Sequence, residues 1–288
     1  MNGNHALRQN YEQVLHRIRD ACEAAGRPAG SVRLLAVSKA FPAARVLELA
    51  ALGQRAFGEN YLQEALDKIA ACRDGRSAPA AERRAIEGPE RDTREWSQRD
   101  TREWSQRDTR EWSQRDTREL LEWHFIGPIQ SNKTRPIAEH FDWVHSVDRE
   151  KIARRLAEQR PRGLPPLNLC LQVNVSGEES KSGVAPGETM ALATAVAALA
   201  HVRLRGLMAI PEPSADATLQ RARFAALRGL HERIRVALAA DAARDFDTLS
   251  MGMSADLESA VMEGATIVRV GSALFGSRPA KQAVSPST

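Results

Sequence analysis

Leu34-Leu35-Ala36-Val37-Ser38-Lys39, followed by Ala40-Phe41-Pro42, is an apolar run of strand length that stops on a single lysine just ahead of a proline. Pro42 suits a first helical turn, where its fixed φ is already helical and its missing N–H has no helical partner to lose. Ala43, Val46, Leu47 and Ala50 then form one apolar stripe, and Gly53 closes it. The stretch reads as a strand feeding a helix, with Lys39 at the hand-over. An ε-amine there has two readings. It snorkels to water as a solubilising charge, or, once desolvated, it loses its proton and condenses with an aldehyde as a Schiff base. The run alone leaves both open.

The same unit recurs outward from this stretch. An amphipathic helix from His5 to Ala25 precedes it, with Leu7, Tyr11, Val14, Leu15, Ile18 and Cys22 at helical spacing. After it come a strand at Gln54–Phe57, a turn at Gly58-Glu59-Asn60 and a helix carrying Leu62, Ala65, Leu66 and Ile69, with Asn60 and Gln63 spaced as a capping box. Further strands are expected at Trp123–Ile126, Trp143–Ser146, Leu167–Val175, Arg203–Met208, Thr248–Ser250 and Thr266–Val270. Helices are expected from near Pro136, after an Asp148 cap, over Gly187–Ala200 and Leu219–Ala240, and around Leu257–Val261 up to Gly264. Leu167–Val175 alternates leucine and valine with Asn168, Cys170, Gln172 and Asn174, giving one apolar and one polar face. Eight strand-then-helix units demand a parallel sheet, and eight is the number that closes into a (β/α)8 TIM barrel, here with an extra N-terminal helix. An open doubly wound sheet competes, but no G-x-G-x-x-G follows the first strand.

Composition sets the class. Hydrophobic residues at 42% and charged residues at 27% of 288 are ordinary globular usage. No apolar run approaches the roughly 18 residues of a membrane span, and Met1-Asn2-Gly3-Asn4-His5 lacks a signal pattern, so a cytoplasmic protein without membrane contact is expected. Cys22, Cys72 and Cys170 are odd in number and lack C-x-x-C spacing, which points away from a disulfide frame or a zinc site. A net charge of +4 without a block of like charge points away from nucleic acid.

One segment breaks the pattern. Between the second helix and the third strand, residues 73–118 contain Asp-Thr-Arg-Glu-Trp-Ser-Gln-Arg in tandem from Asp92, Asp100 and Asp108, with a diverging copy from Asp116. Each step of eight residues turns a helix by about 80°, so Trp96, Trp104 and Trp112 cannot share one stripe. A low-complexity insertion, duplicated and solvated, is expected within one domain spanning 1–288. It joins a helix to the next strand, which places it at the N-terminal face of a barrel, opposite the face that carries sites.

The strand ends that surround Lys39 at the C-terminal face are Asn60, His124 through Gly127, Met208, Ser250 and Arg269. Ser250-Met251-Gly252-Met253-Ser254 and Gly271-Ser272-Ala273-Leu274 follow the last two strands, the usual barrel phosphate site, where small residues let backbone N–H groups reach an anion. Ordinary capping by Ser254 and a turn at Gly271 read the same residues structurally. A Schiff-base lysine, an anion cradle and an arginine at one rim suit pyridoxal 5′-phosphate (PLP), with Arg269 facing the pyridine nitrogen and opposing its protonation, or else forming an ion pair or holding the phosphate.

Leu35-Ala36-Val37-Ser38-Lys39, Phe57-Gly58-Glu59-Asn60-Tyr61-Leu62-Gln63-Glu64, Trp123-His124-Phe125-Ile126-Gly127-Pro128-Ile129-Gln130-Ser131-Asn132-Lys133, Gly206-Leu207-Met208-Ala209-Ile210-Pro211, Leu249-Ser250-Met251-Gly252-Met253-Ser254 and Val268-Arg269-Val270-Gly271-Ser272-Ala273-Leu274-Phe275-Gly276 together resemble the pyridoxal phosphate homeostasis proteins. The resemblance covers nearly the whole chain apart from the repeats. It implies a single-domain barrel like the N-terminal domain of alanine racemase, with PLP on Lys39 and its phosphate near Ser250, Gly271 and Ser272. It implies a carrier or regulator of free PLP without established turnover, expected to be a monomer that meets PLP-dependent apoenzymes as transient recipients. A PLP-dependent racemase or lyase of low activity is the alternative. A racemase of this kind needs a second base from a following β-domain, whereas only Ser277–Thr288 follow Gly276 here, and the tyrosines are Tyr11 and Tyr61. Tyr61 and His124 are the candidate acid–base groups, and Lys181 in the Gly177–Gly183 loop is a candidate second amine.

Overall fold

The computed structural model describes residues 2–74, 121–177 and 182–276; the octad repeats, Lys181 and the tail after Gly276 lie outside them. The described chain runs α1 (Asn2–Ala24), β1 (Arg33–Val37), α2 (Ala43–Ala51), β2 (Ala56–Glu59), α3 (Leu62–Asp74), β3 (Glu122–Phe125), a 3-10 turn (Ser131–Lys133) leading into α4 (Thr134–His140), β4 (Trp143–Val147), α5 (Glu150–Gln159), β5 (Leu167–Gln172), α6 (Thr189–Ala197), β6 (Val202–Met208), α7 (Ala217–Ala237), α8 (Ala240–Asp245), β7 (Thr248–Ser250), α9 (Leu257–Met262), β8 (Ile267–Val270) and α10 (Ser272–Phe275). The strands form a closed barrel in sequence order. Closure is made by β1 lying parallel to β8 with Leu34 opposite Val268 and Leu35 opposite Arg269. The (β/α)8 expectation holds and the open sheet is excluded.

Period-two alternation divides each strand between two environments. Leu34 and Ala36 of β1, Phe57 of β2, Leu167, Leu169 and Leu171 of β5 and Val268 and Val270 of β8 belong to the main core, packed under the helices. Leu35, Val37, Ala56, Ile126 and Ile267 form a separate cluster inside the barrel, and Trp143, Cys170 and Met208 another. The polar face expected on β5 therefore looks into the lumen rather than to solvent. Arg205 spans that floor, its Nη1 bonding Asn168 Oδ1 at 3.3 Å and its guanidinium lying 4.9 Å over the Trp143 ring.

α1 seals one side with Leu7, Val14, Ile18 and Cys22 buried. Arg27, just after it, donates to Val261 O (2.7 Å) and Ala265 O (2.8 Å), tying the chain start to the last unit.

Local readings shifted in three places. β2 runs Ala56–Glu59, with Gly58 and Glu59 paired opposite His124 and Phe125 of β3 and so strand and not turn, while the Gln54 side chain before it donates to Leu34 O (2.8 Å) and Ala56 O (2.7 Å). The Asn60–Gln63 capping box does not form; Gln63 donates to Asp67 Oδ1 at 3.2 Å and Asn60 Oδ1 has no partner. Asp148 accepts from the Arg149 side chain and leaves α5 without a side-chain cap.

Candidate functional site

The lumen parity continues past the strand ends: Leu35 and Val37 lead to Lys39, Ile267 and Arg269 to Gly271, Ala56 and Gly58 to Asn60. These residues meet around a cavity of about 580 Å³ at the C-terminal rim, whose lining includes Lys39, Asn60, Arg269, Gly271 and Ser272. Ile126, Ile210 and Phe41 supply its apolar walls.

Lys39 is half-buried and its two neighbours are clamped. Ser38 N donates to Gly58 O (3.0 Å), carrying the β1–β2 pairing past the end of β1. Ser38 Oγ donates to Glu59 Oε1 (2.6 Å), and the buried Lys68 donates to Ser38 O (2.8 Å) and Glu59 Oε1 (2.6 Å). On the other side Ala40 N donates to Glu64 Oε1 at 2.6 Å, and Ala40 takes φ 67°, a left-handed conformation that an L-residue adopts only when its surroundings hold it there. The lysine is thus carried by a backbone fixed on both flanks, which is what a covalent anchor requires. Burial raises the Glu59 carboxyl above its ordinary range, with the Lys68 charge and hydrogen bond opposing it.

Arg269 is buried in the lumen and held by three bonds, from Nη1 to Ser250 O (2.7 Å) and Ser250 Oγ (2.9 Å) and from Nη2 to Ala209 O (2.9 Å). Burial lowers it to about 10, with Asp256 opposing, so it remains a cation at neutral pH. Lys39 and Arg269 are the titratable side chains among the described lining residues, and both are basic. No carboxylate is among the described lining residues, so the charge they present is positive.

The opposite wall comes from Met253-Ser254-Ala255 after β7 and Gly271-Ser272 after β8. Asp256 Oδ1 accepts from Met253 N at 2.5 Å, bracing the first of these turns. A Cβ on Gly271 would stand 3.2 Å from Val37 O, so this position carries glycine where β8 runs closest to β1 at the cavity floor. Phe41 stacks on Phe275 with ring centroids 4.8 Å apart and closes the side between the first and last units.

A family model described as alanine racemase, N-terminal domain, matches residues 9–279. The pyridoxal phosphate homeostasis protein of Pseudomonas aeruginosa is 54% identical over 272 residues, covering 94% of this chain and 96% of that one. The chain belongs to the pyridoxal phosphate homeostasis protein family. The member from Vibrio cholerae is 43% identical over 273 residues, with 95% and 97% of the two chains covered. Among solved structures, PipY of Synechococcus elongatus with PLP bound is 34% identical and superposes with a TM-score of 0.63 over 90% of this chain and 99% of that one.

Against this family frame, the residues singled out in the sequence separate into two sets. Lys39, Asn60, Arg269, Gly271 and Ser272 line the cavity. His124, Met208, Ser250, Met251 and Gly252 are not among its lining residues. Ser250 is fully buried and its hydroxyl is committed to Arg269 and His145, so it holds the arginine instead of facing the cavity. His124 is buried one layer down, between Glu122 and His145, with both ring nitrogens bonded. Met208 packs on Trp143 and Cys170 in the lumen. Met251 has the opposite parity and packs under the helices. Gly252 (φ 91°) is where α9 comes closest, since a Cβ there would lie 2.5 Å from Ala260 Cβ, and its carbonyl accepts from Arg269 N at 2.9 Å. Tyr61 is 60% exposed and off the cavity, and Tyr11 is core. The walls at Phe41 and Ile210 were missed, while Ile126 lies in the His124–Gly127 strand end expected at this rim. Within that span the β3 parity, continued two residues beyond His124, selects Ile126 as the lining residue.

Proposed function

We propose that the protein binds PLP and serves its intracellular homeostasis, holding PLP as a Schiff base on Lys39 without catalytic turnover. The observation that carries this is the pairing of Lys39 and Arg269, two basic side chains in one cavity with no carboxylate among its described lining residues. The donor set fits the cofactor part by part. The amine matches an aldehyde, the hydroxyls and turn amides around Ser254 and Ser272 match a phosphate, and Ile126, Ile210 and Phe41 match a planar ring. The buried Asn60 Oδ1, which lacks a partner, is an acceptor left for a ligand group. The name of the relatives and the PLP bound in PipY support the same reading.

PLP supplies an aldehyde and an electron sink. The residues around it supply attachment and orientation: Lys39 from its clamped backbone, and Arg269 as a permanent cation that disfavours a proton on the ring nitrogen. No tyrosine or histidine is among the described lining residues, so the second base that a two-base racemase requires has no candidate there. This favours carriage over turnover. A closed barrel exposes no sheet edge to pair, which supports a monomer releasing PLP to apoenzymes as transient recipients. Three free, buried cysteines are the usage of a reducing cytoplasm.

The test is borohydride reduction of the full-length chain with PLP, followed by peptide mapping. The adduct is expected on Lys39, and Lys39→Ala is expected to fold but to lose both the yellow band and the adduct. A reducible adduct that persists in Lys39→Ala overturns the anchor, and steady conversion of an amino acid at ordinary enzyme rates overturns the carrier reading.

A further inference from the structure

Behind Arg269 a single line of hydrogen bonds crosses the barrel to its other rim. Arg269 Nη1 lies 2.9 Å from Ser250 Oγ, Ser250 Oγ 2.8 Å from His145 Nδ1, His145 Nε2 2.8 Å from His124 Nδ1, and His124 Nε2 2.5 Å from Glu122 Oε1. Glu122 opens β3 at the N-terminal rim, where Arg33 Nη2 also donates to it at 3.0 Å. Members come from β3, β4, β7 and β8, and all carry lumen parity.

The direction of every bond follows from the chemistry of the two ends. Glu122 is held down to about 2, with the His124 hydrogen bond outweighing burial together with Arg33, so it is a carboxylate and only accepts. His124 must then donate from Nε2. Burial keeps both imidazoles neutral, His145 most strongly, so each has one N–H. His124 Nδ1 accepts from His145 Nε2–H, and His145 Nδ1 accepts from the Ser250 hydroxyl. Ser250 Oγ is thereby left with its lone pairs toward Arg269, a guanidinium that can only donate.

We propose that Glu122, His124, His145 and Ser250 form a one-way relay that positions Arg269 toward the cavity and turns the Ser250 proton away from bound PLP. The inference rests on the PLP reading above. It explains why two histidines and a serine lie inside a barrel whose cavity they do not line. They are positioning residues, and Ser250 serves the cofactor through the arginine instead of touching its phosphate.

Nitrogen-15 NMR of the ligand-free full-length chain, labelled at histidine, reads the relay without PLP. Both rings are expected as neutral Nε2–H tautomers at neutral pH. Glu122→Leu removes the terminal acceptor and is expected to switch both rings to Nδ1–H, whereas Glu122→Gln, which keeps an acceptor oxygen, retains the wild-type tautomers. With PLP added, Ser250→Ala is expected to shift the absorption band and to weaken retention roughly tenfold, the size of one hydrogen bond to a charged group. An Nδ1–H tautomer or an imidazolium at His145 in the wild type overturns the relay, as does a Ser250→Ala chain with unchanged band and retention. If Glu122→Leu does not fold, the wild-type tautomers and Ser250→Ala still decide. A wild-type chain that takes up no PLP overturns the functional reading instead, and the tautomers still settle the relay's direction.

Discussion

Glu59 is asymmetric: its Oε1 accepts from Ser38 and Lys68, while its Oε2 is buried without a partner. Such a pair contributes little by existing and much by being broken, because removing the cation leaves a carboxylate with no compensation. Lys68→Met is expected to cost roughly 3–5 kcal/mol near neutral pH. The pH dependence has a definite sign. Burial raises the folded-state carboxyl above 4.5, so between that value and the raised one the folded chain binds more protons than the unfolded chain. Stability therefore falls as pH rises through that window. Without Lys68 the carboxyl rises further and the window extends upward, so the variant should recover stability on acidification; urea titrations at several pH values check this, and a penalty that does not change with pH would contradict it. Ser38 and Ala40 flank Lys39, so under the proposed Schiff-base reading Lys68→Met should also loosen PLP. Only the i,i+4 contact of Lys68 with Glu64 follows from helical spacing, since its other partners lie 9 and 30 residues away. Lys39, by contrast, was legible, because a strand end in a parallel barrel leaves a side chain only one place to go.

At the scale of the element, β6 shows how the barrel was closed. Its pairing with β5 shifts between Leu169 and Cys170, where Leu204 and then Gly206 stand opposite. The extra residue is absorbed at Gly206, with φ 154° and a missing Cβ that would stand 1.8 Å from Thr248 O on β7. Gly206→Ala must push β7 away from β6 and is expected to destabilise by at least about 3 kcal/mol or to abolish folding; thermal unfolding by circular dichroism measures it, and a loss under 1 kcal/mol, on the order of an ordinary surface change, would show that the strands separate easily. Element order and closure were legible because each strand-then-helix unit repeats the Leu34–Gly53 pattern. Boundaries were not. Gln54 looked like strand because Ala56 and Phe57 just beyond it are, but its side-chain amide instead donates to the Leu34 and Ala56 carbonyls. The division between lumen and core after β7 also escaped, since one step of parity separates Ser250 from Met251, and the bond that holds Ser250 inward reaches His145 across 105 residues.

In the whole molecule the two rims have different work. Lys39, Asn60, Arg269 and Ser272 gather at the C-terminal rim, while Glu122 and Arg33 meet at the N-terminal one. The octad segment lies in sequence between the end of α3 and the start of β3, and in this topology those two described ends belong to the N-terminal rim. Replacing residues 75–118 by a short Gly/Ser connection should therefore leave PLP affinity within roughly twofold, because loop length enters stability only logarithmically and none of the described lining residues is removed. Leu121 is buried and Glu122 terminates the relay, so the cut must spare both. A deletion extended through Glu122 provides the contrast: it should shift the band of bound PLP even though the cavity wall itself is intact. Fluorescence or absorbance titration of the two deletions against wild type separates the cases. If the shorter deletion abolishes binding, the repeats contact the site or the barrel depends on them; if the longer one binds with an unshifted band, the line from rim to rim does not govern Arg269.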